Sequence, residues 1–406
     1  MTQNNRAFVC DPVCALPFGH NVLGLKYFSD AARPFFKKIF PLTSSFLPIK
    51  IRESYGFEAA FDFYYHKQLR LGVPKSGNHT PLTPTGILQD PELAIAISDF
   101  AALFQKFSPT ENDAIIFPSV DFYGAMGALK AVSKLDPSHS PVFYLRFIGV
   151  MENATSTGSA GLPRLLQEIR RLLVAGYKIN ICAETPLYAN HLASELELPV
   201  GVVPYPPHSV TLTTNDLDGL SKSRTPRVFT IACPGSSRID KGYLSLKEIF
   251  SAIRRLDPDL TIHFILQSLP IDEALAHSHY TNQLYAIPGV NILPSSLTEA
   301  QMNAIYETSQ LVILPYDFNI YRYRGSAVFM ECLTRGIPVV ALEGSAFCDQ
   351  ITYYTAGSVA KNIPDLISDV MFYYEKPRRA TLLQMQQARY RYVADADASF
   401  AKWMSQ

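Results

Sequence analysis

Two segments in the second half of the chain place small and basic residues directly after apolar runs that look like buried strands. The first is 234–242, Pro-Gly-Ser-Ser-Arg-Ile-Asp-Lys-Gly. Strand ends of this kind lead into helix N-termini, whose free N–H groups and positive dipole end favour anions. Gly235 and Ser236 would let the backbone approach a ligand. Arg238 and Lys241 would supply positive charge. The pattern fits a bound diphosphate, and it fits a surface loop with two solvated basic residues equally well.

The second segment, 315–331, also follows an apolar run and passes through Gly325 and Ser326 into a helix. Glu331 lies among apolar residues of that helix, so its carboxylate is expected to be at least partly buried and to need hydrogen-bond donors. The two hydroxyls of a ribose would be suitable, because hydrogen bonds to an ionised carboxylate are strong. The alternative is a glutamate on the helix surface without a ligand.

The chain is long enough for two domains, whose helices and strands must position these segments. It has 406 residues, 48% of them hydrophobic, so it can bury two sizeable cores. Short apolar runs alternate with amphipathic stretches, which predicts parallel strands joined by crossover helices. The predicted strands are near Phe8 and at 114–117, 142–147, 178–183, 200–203, 228–233, 261–266, 311–315 and 338–341. The predicted helices are 91–106, 125–134, 163–175, 242–256, 298–308 and 326–335.

These elements predict an α/β protein with two Rossmann-like, doubly wound parallel-sheet domains. The Pro-rich segment 204–207 and the polar stretch 211–225 have the composition of a linker. The predicted domains are 1–207 and 208–380, followed by a C-terminal helix at 381–406 that can cross back onto the first domain.

Composition and the lack of certain motifs argue against several classes of protein. Lysine plus arginine and aspartate plus glutamate both total 36, so no net charge would draw the chain to nucleic acid. The six cysteines are scattered, which indicates free thiols rather than a zinc site. No Gly-x-Gly-x-x-Gly turn follows a strand, which disfavours NAD. With no signal-like segment and no run of about 20 apolar residues, we expect a cytoplasmic protein.

A set of residues spread over 228–356 has the order and spacing of a known family. The matching residues are Gly235, Lys241-Gly242, Pro315-Tyr316, Gly325-Ser326, Glu331, Gly336 and Pro338-Val339-Val340. Together they resemble the C-terminal half of family 4 glycosyltransferases, which have the GT-B fold: two Rossmann-like domains facing a central cleft.

The resemblance implies a role for each part of this half. In the family, the lysine contacts the donor diphosphate, helix-start N–H groups hold its distal phosphate, and the helix glutamate binds the ribose. These roles would fall on Lys241, on Gly325 to Val328, and on Glu331. The donor-binding residues expected from sequence and resemblance together are Gly19, Arg146, Gly235, Ser236, Arg238, Lys241, Tyr321, Arg324, Gly325, Ser326, Ala327, Val328 and Glu331.

Two positions depart from the family pattern. A second glutamate usually stands eight positions before the first, and here Tyr323 takes its place. The arginine that usually follows the loop glycine is Ser236, and Arg238 comes two residues later. Because the missing glutamate usually faces the sugar, the donor sugar and the family's retention of anomeric configuration are left open.

The first half offers three isolated candidates near predicted strand ends. Gly19 would allow close backbone approach, and the neighbouring His20 could donate to a phosphate or accept a proton from a hydroxyl. A lone loop histidine is more often a capping or solvent-facing residue. Asp121 is a similar candidate, and in an inverting enzyme one of the two would be the base. Arg146 could bind the donor phosphate or the acceptor, or form an ion pair at the edge of the core.

The function predicted from these residues is transfer of a hexosyl group from a nucleoside diphosphate sugar to a glycan or lipid-linked acceptor, in polysaccharide or glycoconjugate biosynthesis. Arg238 and Lys241 would act catalytically by stabilising the departing diphosphate, with His20 or Asp121 as a base if the enzyme inverts. We expect no cofactor and no metal. The alternatives are another GT-B enzyme, such as an epimerase or phosphorylase, and a catalytically silent sugar-nucleotide-binding or scaffold protein.

The segment Leu25 to Arg52 interleaves lysines and arginines with aromatic residues. This pattern fits peripheral contact with an anionic membrane, which would suit a lipid-linked acceptor at its inner face. The alternative, which we favour, is an ordinary amphipathic helix with aromatics in the core and lysines in solvent.

Overall fold

The computed structural model describes residues 4–16, 20–62, 91–151, 161–205, 228–235 and 237–406. Contacts between Cα atoms divide the chain into two compact units, Met1–Pro206 with Ala396–Gln406, and Pro207–Asp395. No helix of the described residues has the length and apolar character needed to cross a membrane.

The described strands of the first unit form one parallel sheet. They are β1 (Asn4–Asp11), β2 (Phe36–Ser44), β3 (Glu58–Phe61), β4 (Ala114–Phe117), β5 (Val142–Phe147), β6 (Ile179–Ala183) and β7 (Gly201–Val202). Their order is β3-β2-β1-β4-β5-β6-β7. The order reverses between β1 and β4, and ligands of doubly wound sheets bind at the carboxyl ends of the strands that flank such a reversal.

Helices connect these strands. They are α1 (His20–Ala32), α2 (Ile49–Tyr55), α3 (Pro91–Phe107), α4 (Phe122–Val132), α5 (Gly161–Val174) and α6 (Pro186–Leu196). Thr185 caps α6 by accepting from the backbone N–H of Tyr188, with Pro186 at the first helical position. Such local signals fix where a helix begins after a buried strand.

The second unit repeats this topology. Its described strands are β8 (Phe229–Cys233), β9 (Ile262–Gln267), β10 (Val290–Leu293), β11 (Leu311–Leu314), β12 (Val339–Leu342) and β13 (Gly357–Ala360). All pair in parallel in the order β10-β9-β8-β11-β12-β13. The reversal lies between β8 and β11, the two strands that precede the segments singled out in the sequence.

The helices of this unit complete the alternation. They are α7 (Leu246–Leu256), α8 (Ile271–Ala276), α9 (Ser278–Tyr285), α10 (Glu299–Thr308), α11 (Phe318–Tyr321), α12 (Ala327–Arg335), α13 (Cys348–Tyr354), α14 (Ile363–Glu375) and α15 (Arg378–Met404). Helix α15 begins in the second unit, and its end belongs to the first. There Trp403 packs edge-on against Tyr144, with ring centroids 5.5 Å apart, and the Tyr144 hydroxyl donates to Met404 O.

The predicted fold class is confirmed, but the segment Leu25 to Arg52 is not one amphipathic helix. Helix α1 ends at Ala32, and β2 follows, pairing with β1. Phe40 of β2 stacks on Phe8 of β1, with ring centroids 5.1 Å apart. Four aromatic residues of the segment, Tyr27, Phe28, Phe36 and Phe40, are buried. These side chains belong to the core and are not available to a membrane surface.

Candidate functional site

A hollow in the second unit lies where the strand order reverses, between the loops that follow β8 and β11. Its lining includes Gly235, Arg238, Lys241 and Tyr316. The first three come from the loop after β8 and the last from the loop after β11. Residues of both segments singled out in the sequence therefore lie together at this strand edge.

The two loops touch through their backbones. Gly242 has a φ of +77°, and a Cβ at that position would overlap the carbonyl oxygen of Pro315. Glycine is therefore required there by both conformation and space. The backbone N–H of Asp317 also donates to Asp240 O at 2.9 Å. The spacing between the loops is thus set before any ligand arrives.

Arg238 is held by both loops. Its Nε and Nη2 donate to the carboxylate of Asp240 at 2.9 and 3.0 Å, and its Nη2 donates to the hydroxyl of Tyr321 at 2.7 Å. The side chain is still 42% exposed, so part of the guanidinium faces solvent. A cation held in this way can bind an anion at little cost in side-chain entropy.

Lys241 and the first turn of α12 both border Gly235. A Cβ on Gly235 would lie 3.3 Å from Lys241 Nζ and 3.1 Å from Val328 Cγ2. Burial, and then the charge of Arg238, lower the pKa of Lys241 from 10.5 to about 8. Within the described part of the chain its ammonium has no carboxylate within 4.0 Å. An anionic ligand would supply the missing negative charge.

The N-terminus of α12 lies near Gly235 and Lys241. After Gly325, Ser326 caps the helix, with its Oγ accepting from the N–H of Phe329 at 3.2 Å. The first N–H groups of a helix have no acceptor within it, and the cap leaves those of Ala327 and Val328 for a ligand. This arrangement, next to Lys241, is suited to a phosphate.

Buried aromatic side chains pack against one another around the segment that follows β11. Tyr316 packs on Tyr321 and on Phe347, with ring centroids 4.5 and 5.6 Å apart, and both tyrosines are buried. The guanidinium of Arg324 lies 6.0 Å from the centroid of the Tyr321 ring. Tyr321 therefore serves the site through Arg238 and through packing.

Glu331 is mostly buried, as predicted, but it already has a partner in its own helix. Arg335 Nε donates to Glu331 Oε2 at 3.1 Å, and the Glu331 side chain is 20% exposed. Burial of this carboxylate therefore does not by itself require a ribose. Its second oxygen, Oε1, accepts no hydrogen bond from the described residues and is open to a ligand.

Two buried carboxyl groups lie at the reversal point of the first sheet. Asp121 caps α4, with Oδ1 accepting from Gly124 N at 2.8 Å, while its Oδ2 is buried and has no hydrogen-bond partner among the described residues. Asp11 ends β1 and accepts from Asn21 Nδ2 at 3.2 Å. Burial raises the pKa of Asp121 to about 6. Burial and the charge of Asp121 raise the pKa of Asp11 to about 7.

Arg146 is not exposed to a ligand. Its guanidinium donates to Glu184 Oε1 at 2.9 Å and to the carbonyl oxygens of Pro118 and Val203, and it lies 5.0 Å from the ring centroid of Phe28. The residue is 1% exposed. The ion pair offered as the alternative to phosphate binding is the arrangement found, because the strand points the side chain into the core.

Three further candidates cannot be placed fully. Gly19 and Ser236 lie outside the described residues, as does the side chain of His20, whose backbone begins α1. The expectations for these residues stay predictions.

Three residues that sequence reasoning gave no role belong to these arrangements. Asp240 fixes Arg238, Arg335 holds Glu331, and Asp11 lies within range of the charge of Asp121. A sequence signal existed for each: an acid two residues after a loop arginine, an arginine one helical turn after a glutamate, and an acid at the end of a buried strand. The sequence does not show which charged group lies near each of these residues, and the structure does.

Solved structures resemble the chain over its length. A glycosyltransferase from Rickettsia africae aligns with a TM-score of 0.65 and 12% identity, covering 99% of this chain and 97% of that one. HepE from Anabaena, solved with UDP and glucose, aligns with a TM-score of 0.64 and 13% identity, covering 100% of both chains. A UDP-forming α,α-trehalose-phosphate synthase from Burkholderia xenovorans aligns with a TM-score of 0.56 and 11% identity, covering 78% of this chain and 79% of that one.

At this level of identity the likeness establishes the fold. The chain has the GT-B fold, with two Rossmann-like parallel-sheet units. No protein-family model and no curated protein matches the chain. Membership of glycosyltransferase family 4 therefore stays a prediction.

Proposed function

We propose that this protein is a glycosyltransferase that binds a nucleoside diphosphate sugar at the reversal point of its second sheet. The observation that carries the proposal is that Lys241 Nζ and Val328, in the first turn of α12, both border Gly235. A buried lysine with no carboxylate of the described residues within 4.0 Å, next to a helix N-terminus, forms a site for a phosphate group. Fold likeness to a structure solved with UDP and glucose is consistent with this ligand class.

The same residues would promote cleavage of the donor's glycosidic bond. Negative charge grows on the departing diphosphate, and cations fixed in advance stabilise that charge. Arg238 is fixed by Asp240 and Tyr321, and Lys241 lies beside it. A bound diphosphate would raise the pKa of Lys241 and keep it protonated. The proposed mechanism needs no metal ion or other cofactor.

The nucleotide would be recognised through its ribose by Glu331 Oε1, the carboxylate oxygen that the helix leaves free. We propose UDP as the first nucleotide to test, because the structurally similar HepE was solved with it. The transferred group is proposed to be a hexosyl group, and its identity is open because Tyr323 stands where the family usually has a glutamate.

The acceptor is proposed to be a glycan or lipid-linked glycan bound through the first unit. If the reaction inverts the anomeric carbon, Asp121 is the proposed base, because its pKa is raised to about 6 and its Oδ2 has no hydrogen-bond partner among the described residues. Retention, as in the resembling family, needs no such base. Membrane contact is not part of the proposal, because four of the aromatics that suggested it, Tyr27, Phe28, Phe36 and Phe40, are buried.

A second candidate is a sugar-nucleotide-binding protein without transferase activity. The observation that favours it is Tyr323 in place of the glutamate that usually faces the reacting sugar. Such a protein would bind the same ligands at the same residues.

The test is a calorimetric titration with UDP, GDP, ADP and their hexose conjugates, followed by an assay for diphosphate release with glycan acceptors. The proposal expects one nucleotide series to bind and its sugar form to be turned over. Binding without turnover would favour the silent protein. No binding in any series would reject the nucleotide site.

A further inference from the structure

Glu331 is held from one side by an arginine that the chain places one helical turn further on. Arg335 Nε donates to Glu331 Oε2 at 3.1 Å, and the two side chains are only 14% and 20% exposed. The contact therefore occupies the Oε2 oxygen of the Glu331 carboxylate and leaves Oε1 without a hydrogen bond from Arg335. An ion pair shielded from water to this degree also limits the rotamers of the glutamate.

Arg335 is in turn fixed by the neighbouring helix α10. Its Nη2 donates to Asn303 Oδ1 at 2.8 Å, and its guanidinium lies 4.9 Å from the ring centroid of the buried Tyr306. A guanidinium can make both hydrogen bonds and stack on the ring at once because it is planar and forked. A lysine ammonium has no such plane and could keep the charge contact alone.

We infer that Arg335 is a positioning residue that orients Glu331 so that Oε1 accepts hydrogen bonds from the ribose hydroxyls, making the site selective for nucleotides with an intact 2′,3′-diol. This inference rests on the proposed nucleotide site. Asn303 and Tyr306 take part by fixing the arginine. None of the three needs to touch the ligand.

The prediction concerns selectivity more than affinity. A nucleotide that has both ribose hydroxyls binds more tightly when the Glu331 carboxylate is already oriented. A 2′,3′-dideoxy nucleotide has no hydroxyls for that carboxylate to accept from, so its affinity does not depend on it. Loss of Arg335 frees Glu331 to rotate, and ordering a side chain again on binding costs about 3- to 10-fold in affinity. The affinity for the ribonucleotide should therefore fall, whereas the affinity for the dideoxy form should stay the same.

The experiment measures dissociation constants by calorimetry for whichever of UDP, GDP and ADP binds wild type best, and for its 2′,3′-dideoxy form. The proteins are wild type, Arg335→Met, Arg335→Lys and a control, Arg391→Met. Arg391 is an exposed arginine of the same unit that also stacks on a tyrosine, 4.8 Å from the ring centroid of Tyr353. Methionine keeps the apolar stem and removes the hydrogen bonds.

We expect wild type to prefer the ribonucleotide by about tenfold or more, as for loss of hydrogen bonds to a charged group. Arg335→Met should reduce that preference about 3- to 10-fold, Arg335→Lys should restore part of it, and Arg391→Met should leave it unchanged. An equal loss for both ligands in Arg335→Met would mean a general structural role and would overturn the inference. An unchanged preference would overturn it too, while leaving the nucleotide site in place.

Two results in wild type bear on the proposed function as well. No binding of any nucleoside diphosphate would reject the inference and the proposed function together. Binding without preference for the ribose form would reject the roles of Glu331 and Arg335 and leave the diphosphate site at Lys241 standing.

Discussion

Arg238 donates a hydrogen bond of 2.7 Å to the hydroxyl of Tyr321, although 83 positions separate the two residues in the chain. This contact joins the loop after β8 to the loop after β11. It fixes the direction of a cation at the place where the strand order of the second sheet reverses.

Removal of this hydroxyl is expected to weaken ligand binding without unfolding the protein. Tyr321→Phe keeps the ring that packs on Tyr316 but frees Arg238 from one of its partners. We expect nucleoside diphosphate affinity to fall about 3- to 10-fold, the cost of ordering one side chain again, with little change in melting temperature. Tyr285→Phe, at an exposed tyrosine of the same unit, is the control. Calorimetric affinities equal to wild type would show that the contact does not serve the site.

Binding at Lys241 should depend on pH in the alkaline range. Its pKa in the free protein is about 8, and a bound diphosphate favours the charged form, so the pKa in the complex is higher. Affinity must therefore fall as pH rises through the range between these two values. Calorimetry from pH 7 to 9.5 should record that fall in wild type.

Two substitutions of Lys241 separate charge from shape. Lys241→Met should bind about 10- to 100-fold more weakly at pH 7, as expected for a lost charged hydrogen bond, and should lose the alkaline dependence. Lys241→Arg should stay charged across the range, so its affinity should not fall between pH 7 and 9.5. A methionine variant with the pH profile of wild type would contradict the assignment of Lys241.

Much of the second-unit site could be predicted from the sequence because its signals are local. Gly235, Lys241 and the Gly325-Ser326 helix start follow apolar runs at short distances along the chain, and the ends of parallel strands meet at one sheet edge. The partners could not be predicted in the same way. Pairing of Arg238 with Tyr321, or of Arg335 with Asn303, depends on how distant segments pack.

The first unit was predicted less well for a similar reason. Strand β2 carries Lys37, Lys38 and Pro41, which obscure its apolar pattern, so its aromatic residues suggested a surface helix. Arg146 resembles a ligand-binding arginine in the sequence, and only the buried Glu184 beside it shows that its charge is already balanced. In the second unit, β10 and β13 were missed because they are edge strands with few fully buried residues, so neither gives a clear apolar run.

The close approach at Gly242 allows a test of the loop geometry with a matched control. Gly56 has a similar φ of +69°, but a Cβ placed there would have no atom within 4 Å, whereas a Cβ on Gly242 would overlap Pro315 O. Gly56→Ala should lower the free energy of unfolding by about 1–2 kcal/mol, the cost of a left-handed alanine. Gly242→Ala should cost about 1–3 kcal/mol more from overlap and should weaken nucleotide binding. Equal losses in urea unfolding would contradict the tight contact.

The carboxyl pair of the first unit should make stability depend on pH. The pKa of Asp121 rises from 3.8 to about 6 on folding, so between those values the folded state binds more protons than the unfolded state. The free energy of unfolding should therefore fall with rising pH, by up to about 1.4 kcal/mol per unit for one group.

Asp121→Asn removes this contribution while an asparagine can still cap α4, and it also removes the charge that helps to raise the pKa of Asp11. The free energy of unfolding of the variant minus that of wild type should rise between pH 4 and about pH 7, and then level off. Carboxyl groups whose pKa is lowered on folding, such as Asp257, are present in both proteins. Their contributions to the free energy of unfolding therefore cancel in the difference. Asp349→Asn, at an exposed position, is the control for the same change of side chain. A flat difference for Asp121→Asn would contradict the raised pKa.

The most direct measurement of the central claim is a crystal structure of the protein with the nucleoside diphosphate that binds best. The account predicts phosphate oxygens within hydrogen-bond distance of Lys241 Nζ and of the N–H groups that begin α12, with the ribose hydroxyls on Glu331. A nucleotide bound elsewhere, or bound there with its phosphates away from Lys241 and α12, would contradict it.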